Sequence, residues 1–145
     1  MRIAVGADHA GFELKEHLRS RLAAAGHEIV DCGTDSRAST DYPDYASRVA
    51  EAVAGGSAER GLLVCGSGVG MAIGANRHRG VRAVNCIEPY TVRQARAHTD
   101  ANVLALGARV VAPELAEEIL DAFLTAPVEG GRHERRVAKL AGIGS

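Results

Sequence analysis

Gly61-Leu62-Leu63-Val64-Cys65 followed at once by Gly66-Ser67-Gly68-Val69-Gly70 decides the fold of this chain. The first five residues form an unbroken apolar run, the pattern of a strand covered on both faces at the centre of a parallel sheet. The five that follow are almost all small. At a strand-to-helix turn they let backbone N–H groups approach an anion closely.

Working outward, apolar runs alternate with amphipathic stretches along the whole chain, which is the pattern of strands joined by crossover helices. Toward the N-terminus, Arg2–Ala7 reads as the first strand. Phe12, Leu14, Leu18 and Leu22 then recur at helical spacing, with Lys15, Glu16, Arg19 and Arg21 assigned to the wet side and Gly26 as the stop. Glu28–Cys32 reads as a second strand, and the polar loop Gly33–Asp41 leads to Tyr42-Pro43 and a helix carrying Tyr45, Val49 and Val53. Toward the C-terminus, Met71–Asn76 reads as a helix, Val81–Ile87 as a fourth strand and Pro89–His98 as a helix. Val103–Leu106 is the fifth strand, Pro113–Thr125 the last long helix, and Arg132–Leu140 a short basic tail that packs on this subunit or a neighbour. The expectation is one α/β domain over residues 1–145, with a five-stranded parallel sheet and a basic segment at 130–141.

Composition narrows the function. The chain has 145 residues, enough to bury a core without a staple. Seventeen basic and eighteen acidic residues leave a formal net charge of −1, so no global field draws nucleic acid or an anionic membrane, and neither is expected as a partner. Three cysteines, Cys32, Cys65 and Cys86, have no paired spacing, and six histidines show no metal-ligand spacing. A reducing cytoplasm and no metal are expected. No apolar run approaches the roughly 20 residues that span a bilayer.

Chemically capable residues fall at the carboxyl ends of the expected strands, where ligands bind in open parallel sheets: Asp8 and His9, Tyr42, Cys65 with the glycine loop, and Arg109. Cys65 beside a helix N-terminus has the setting of a base or nucleophile, and equally that of a buried cysteine ending a strand. Asp8-His9 suits a proton shuttle with an orienting carboxylate, or a turn-capping Asp beside a surface histidine. His98 closes a helix, where the dipole favours a cation. Arg132, His133, Arg135 and Arg136 form either a phosphate clamp or a solvated basic face. A P-loop is excluded because no Gly-Lys-Ser/Thr follows, and a dinucleotide fingerprint because Met71 stands where its third glycine is needed. Glu88 occupies a position that imitates the ribose-binding acid of that fingerprint.

Five segments, Gly6–Phe12, Thr40–Pro43, Cys65–Gly70, Asn102–Arg109 and Gly130–His133, occur in an order that resembles the family of sugar-phosphate isomerases holding the type B ribose-5-phosphate and galactose-6-phosphate isomerases. The resemblance covers nearly the whole chain. It implies a Rossmann-like three-layer α/β/α sandwich, dimers or tetramers with each active site shared between two subunits, and no metal or organic cofactor. It further implies an aldose–ketose isomerase working through an enediolate. Cys65 matches the proton-abstracting base and Gly66, Ser67, Gly68, Val69 and Gly70 the anion-binding loop, with Ser67 where threonine is more usual. His9 and His98 match the residues for ring opening and phosphate contact. Asp8, Tyr42, Arg109, Arg132 and Arg136 match other substrate contacts. The chain departs from the pattern at His98-Thr99, where His-Asn is usual, so a hydroxyl replaces an amide at a substrate-binding position. Ribose 5-phosphate is the expected substrate. The alternatives are a tetrose, allose or galactose phosphate, or a phosphate-binding module without catalysis.

Overall fold

A computed structural model describes residues 1–144. Five strands, β1 (Arg2–Ala7), β2 (Glu28–Asp31), β3 (Arg60–Cys65), β4 (Ala83–Asn85) and β5 (Val103–Gly107), form one sheet in the order β2-β1-β3-β5-β4, every pair parallel. Six helices, α1 (Phe12–Ala24), α2 (Tyr42–Ala54), α3 (Val69–Asn76), α4 (Pro89–Thr99), α5 (Pro113–Thr125) and α6 (Arg132–Ala141), complete it. Alternation along the central strands divides the interior. Ile3, Val5, Leu62, Val64, Leu104 and Leu106 face α1, α4 and α5, while Ala4, Leu63, Val103 and Ala105 face α2 and α3. The result is the three-layer Rossmann-like sandwich, with β3 central as its apolar run requires.

Two expectations are corrected. The fourth strand pairs only over Ala83–Asn85, at the sheet edge. Val81 and Cys86 are buried but lie outside the ladder, because burial demands an apolar side chain whether or not the backbone pairs. Lys15 is not on the wet side of α1: it is fully buried. It lies three residues before Leu18 and seven before Leu22, on the inner stripe. Its ammonium reaches Asp31 Oδ1 at 3.0 Å, Glu16 Oε1 at 3.1 Å and the Thr34 carbonyl at 2.7 Å. A buried charge needs such partners, and these bind α1 to the end of β2 and the loop after it.

The chain leaves β1 toward β2 on one side and returns to β3 on the other, so the crevice between the carboxyl ends of β1 and β3 is the switch point where α/β sheets bind ligands. The turn after β1 packs tightly there. A methyl group on Gly11 would sit 2.2 Å from the Val64 carbonyl oxygen and 2.5 Å from its carbon. Backbone cannot yield as a flexible side chain does, so Gly11→Ala is expected to cost about 1–3 kcal/mol, read as a lower urea midpoint. An unchanged midpoint would show that this close approach is not needed.

Candidate active site

The carboxyl edge of the sheet assembles most of the residues anticipated from sequence. Cys65 ends β3 with its thiol buried, and the Gly68 N–H donates to its Sγ over 3.1 Å. Gly68 is the N-cap of α3 at φ +82°, a left-handed conformation that glycine adopts without strain. The sulfur therefore faces an N–H at a helix start, which stabilises negative charge formed there. Ser67 is exposed, its Oγ accepting from the Val69 N–H at 3.3 Å, and its carbonyl accepts from Asn85 Nδ2 at 3.2 Å. Asn85 was missed in the sequence. It terminates the short edge strand, and a Cβ on Gly68 would fall 2.5 Å from its Oδ1.

Two more anticipated residues close on this loop. The Tyr42 ring, at the start of α2, lies against Gly70: a Cβ there would be 2.5 Å from Tyr42 Cε1. The Arg109 guanidinium lies over Gly66, whose Cβ would be 3.0 Å from Nη1. Its backbone is fixed there by the Arg109 N–H to the Gly66 carbonyl and the Ala108 N–H to the Cys65 carbonyl. Among the described residues the Arg109 side chain makes no ion pair or hydrogen bond, so its fork is free for an anion.

Asp8 and His9 follow β1. Asp8 Oδ1 accepts from the Gly11 N–H at 3.1 Å, the turn-capping arrangement, and its own N–H reaches the Val64 carbonyl. His9 Nδ1 accepts from the Thr40 N–H at 3.2 Å. While that bond holds, the neutral ring carries its proton on Nε2, as a donor. Thr40 was noticed only as part of a motif, and the bond to His9 has no local sequence signal because 31 residues separate the pair. Thr40 Oγ1 is buried and has no hydrogen-bond partner, an uncommon state for a polar atom.

The remaining anticipated residues are elsewhere. His98 and Thr99 end α4, which runs back against the strands to the amino edge of the sheet. There Arg82 Nε donates to the carbonyls of Thr99 and Asp100, and the Asn102 carbonyl accepts from the Gly61 N–H beside the start of β3. Gly61 to Cys65 is four residues of strand, about 13 Å, so His98 and Thr99 stand at the opposite end of the sheet from the Cys65 of their own chain. Thr99 Oγ1 donates to the Ala95 carbonyl. His98 stacks on His133 of α6, ring centroids 4.1 Å apart and planes 6° from parallel, and both Nε2 atoms approach Glu129 Oε2. Burial, and next the neighbouring His98 charge, hold the His133 imidazole below its ordinary pKa. Arg132 and Arg136 are exposed on α6 and make no ion pair or side-chain hydrogen bond among the described residues. Glu88 imitates no ribose-binding acid. It caps α4, accepting from the Thr91 N–H.

No helix among the described residues is long and apolar enough to cross a membrane. The model of the ribose/galactose isomerase family matches residues 3–140. Ribose-5-phosphate isomerase B of Escherichia coli is 53% identical over 142 residues, covering 98% of this chain and 95% of that protein. D-erythrulose-4-phosphate isomerase of Pectobacterium atrosepticum is 42% identical, covering 97% and 93%. The solved ribose-5-phosphate isomerase B of Clostridium thermocellum superposes with a TM-score of 0.97 at 46% identity, over 99% of this chain and 97% of that one.

Proposed function

This chain belongs to the ribose/galactose isomerase family, and from that premise we propose that it interconverts ribose 5-phosphate and ribulose 5-phosphate by proton transfer through an enediolate, at a site built from two copies of the chain. The observation that carries this reading is the Cys65 sulfur at a helix start, under an N–H of the glycine loop, with the unpaired guanidinium of Arg109 over Gly66 of that loop.

The residues divide the work. A histidine, His9 or His98, assists opening of the furanose. The Cys65 thiolate then takes the proton from the carbon next to the carbonyl, and the electron pair moves to oxygen as the enediolate forms. Amides of Gly66–Gly70 and the Ser67 hydroxyl offset that charge, an effect worth about 3–4 kcal/mol per donor in comparable oxyanion holes. Cys65 returns the proton to the adjacent carbon while the hydroxyl proton passes from the second enediolate oxygen to the first, so the carbonyl forms at the carbon that lost its hydrogen. Arg109, with Arg132 and Arg136, holds the phosphate, so binding energy from a group that does not react positions one that does. Asp8, Tyr42 and Thr99 contact the sugar.

Distance argues for the second copy. His98 and Thr99 are separated from their own Cys65 by the length of the sheet, and α6 packs on α4 rather than on the glycine loop. Apposition of two chains, the amino-edge cluster of one against the carboxyl edge of the other, completes both sites by symmetry.

Thr99, with the relative named for a four-carbon substrate, favours one second reading: a preference for a tetrose phosphate. Purified protein without added metal, assayed on ribose 5-phosphate beside erythrose, allose and galactose phosphates, tests both. The highest kcat/KM on ribose 5-phosphate is expected. A clear win for the tetrose would support the second reading, and binding without turnover of any sugar would leave a phosphate-binding module.

A further inference from the structure

We propose that His98, Glu129 and His133 form a binding site for a transition-series divalent cation, zinc foremost, and that its occupation inhibits the enzyme. The three side chains come from the last turn of α4, the segment before α6 and the first turn of α6. They are the group of metal-capable ligands that the described residues bring together, with all donor atoms within 4.8 Å of one another.

The spacing fits an ion. Zinc bound by imidazole nitrogen and carboxylate oxygen at about 2.0–2.1 Å in a tetrahedron separates neighbouring ligand atoms by about 3.3 Å. His98 Nε2 lies 3.4 Å from Glu129 Oε2, and His133 Nε2 lies 3.2 Å from the same oxygen. The third edge, between the two nitrogens, is within 4.8 Å. The two near-parallel rings must splay so that both Nε2 lone pairs converge on the ion, and neither ring has another hydrogen-bond partner among the described residues to oppose this.

The ligands are also held in place. The Glu129 N–H donates to the Ala97 carbonyl at 2.9 Å, which anchors the Glu129 backbone beside the last turn of α4. His133 is buried, and Glu129 borders an open cavity of about 270 Å³ with Asp100, Val128, Gly130, Glu134 and Val137, through which an ion enters. Two imidazoles and one carboxylate, with a fourth position open, suit zinc, nickel or copper. They do not suit calcium or magnesium, which prefer all-oxygen sets.

All three ligands belong to one chain, so binding needs no partner. The inhibitory consequence does rest on the proposed role of His98: its Nε2, once bound to a metal, can neither donate nor accept a proton at the sugar. The ion also pins α6 to α4 and restrains Arg132 and Arg136.

Chelator-treated protein is titrated with zinc against a chromophoric chelator, and with cobalt to read tetrahedral visible absorption bands. One ion per chain is expected, with at least about tenfold weaker binding in Glu129→Gln and His133→Ala and unchanged binding in Cys65→Ala. Zinc is expected to suppress turnover of the wild type reversibly, and Glu129→Gln to keep its turnover at the same zinc concentration. Absence of stoichiometric binding, or binding lost with Cys65 and insensitive to Glu129 and His133, overturns the site. Binding at the site with full turnover overturns the inhibition and the role of His98. Turnover that appears only with metal overturns the inhibition, and absence of turnover with and without metal, with binding intact, overturns the isomerase reading and leaves the site standing.

Discussion

Cys65→Ala is expected to lower kcat by about 10²–10⁴-fold while leaving KM within a few-fold. The base is the group whose contribution appears only as the proton moves. The phosphate contacts proposed to set KM lie on Arg109, Arg132 and Arg136, which the substitution does not touch. Alanine keeps the strand residue apolar in the cluster with Leu63, Met71 and Ala105, so the fold should persist. The lost sulfur leaves the Gly68 N–H without its acceptor, and that loop is already held by Asn85 and by the backbone contacts of Arg109. Two measurements decide the matter: isomerisation rate on folded variant, and exchange of the carbon-bound proton with deuterated solvent. Both should fall together. Turnover within tenfold of wild type would remove Cys65 from the role of base and shift attention to His9, whose Nδ1 is occupied by the Thr40 N–H.

Mixing two inactive chains should restore activity. A Cys65→Ala chain lacks the proposed base but carries an intact α6, whereas an Arg132→Ala chain lacks a proposed phosphate contact but carries an intact Cys65. In a hybrid dimer isolated by two different tags, one site combines both defects and the other has neither, so about half of the wild-type turnover per dimer is expected. Recovery at that level would establish that Cys65 and Arg132 of one site come from different chains. No recovery in a well-formed hybrid dimer would place both in one chain. Arg132 suits the test because it is exposed and makes no ion pair among the described residues, so its loss removes an anion contact without unfolding α6.

Much of this architecture was legible because the signals are local. Arg2–Ala7 and Pro113–Thr125 have in the structure the bounds that their apolar patterns suggest. Gly61–Cys65 lies at the centre of the sheet, as a run apolar on both faces must. The exceptions have particular causes. The charge of Lys15 points to solvent, although its spacing from Leu18 and Leu22 puts it on the inner stripe. The compensating Asp31 and Thr34 belong to other elements. Val81–Ile87 suggests a longer strand because an apolar run reports burial, while strand length depends on which backbone groups find a partner, and β4 has a neighbour on one side only.

The site followed the same division. By itself, the sequence determined the order of strands and helices, the glycine turn after Cys65 and the residue types gathered at the strand ends, since these depend on neighbours within a few residues. Only the tertiary structure decided that Thr40 holds His9, that Asn85 braces the Ser67 carbonyl, and that His98 meets Glu129 and His133. Those pairings join residues 18 to 35 positions apart, where hydrophobic periodicity carries no information and geometry alone selects the partner. It also decided that α4 delivers His98 to the opposite edge of the sheet from Cys65. A helix that returns antiparallel to its strands carries its last residues back to where the strands begin, which is why this chain brings half of its chemistry to each edge.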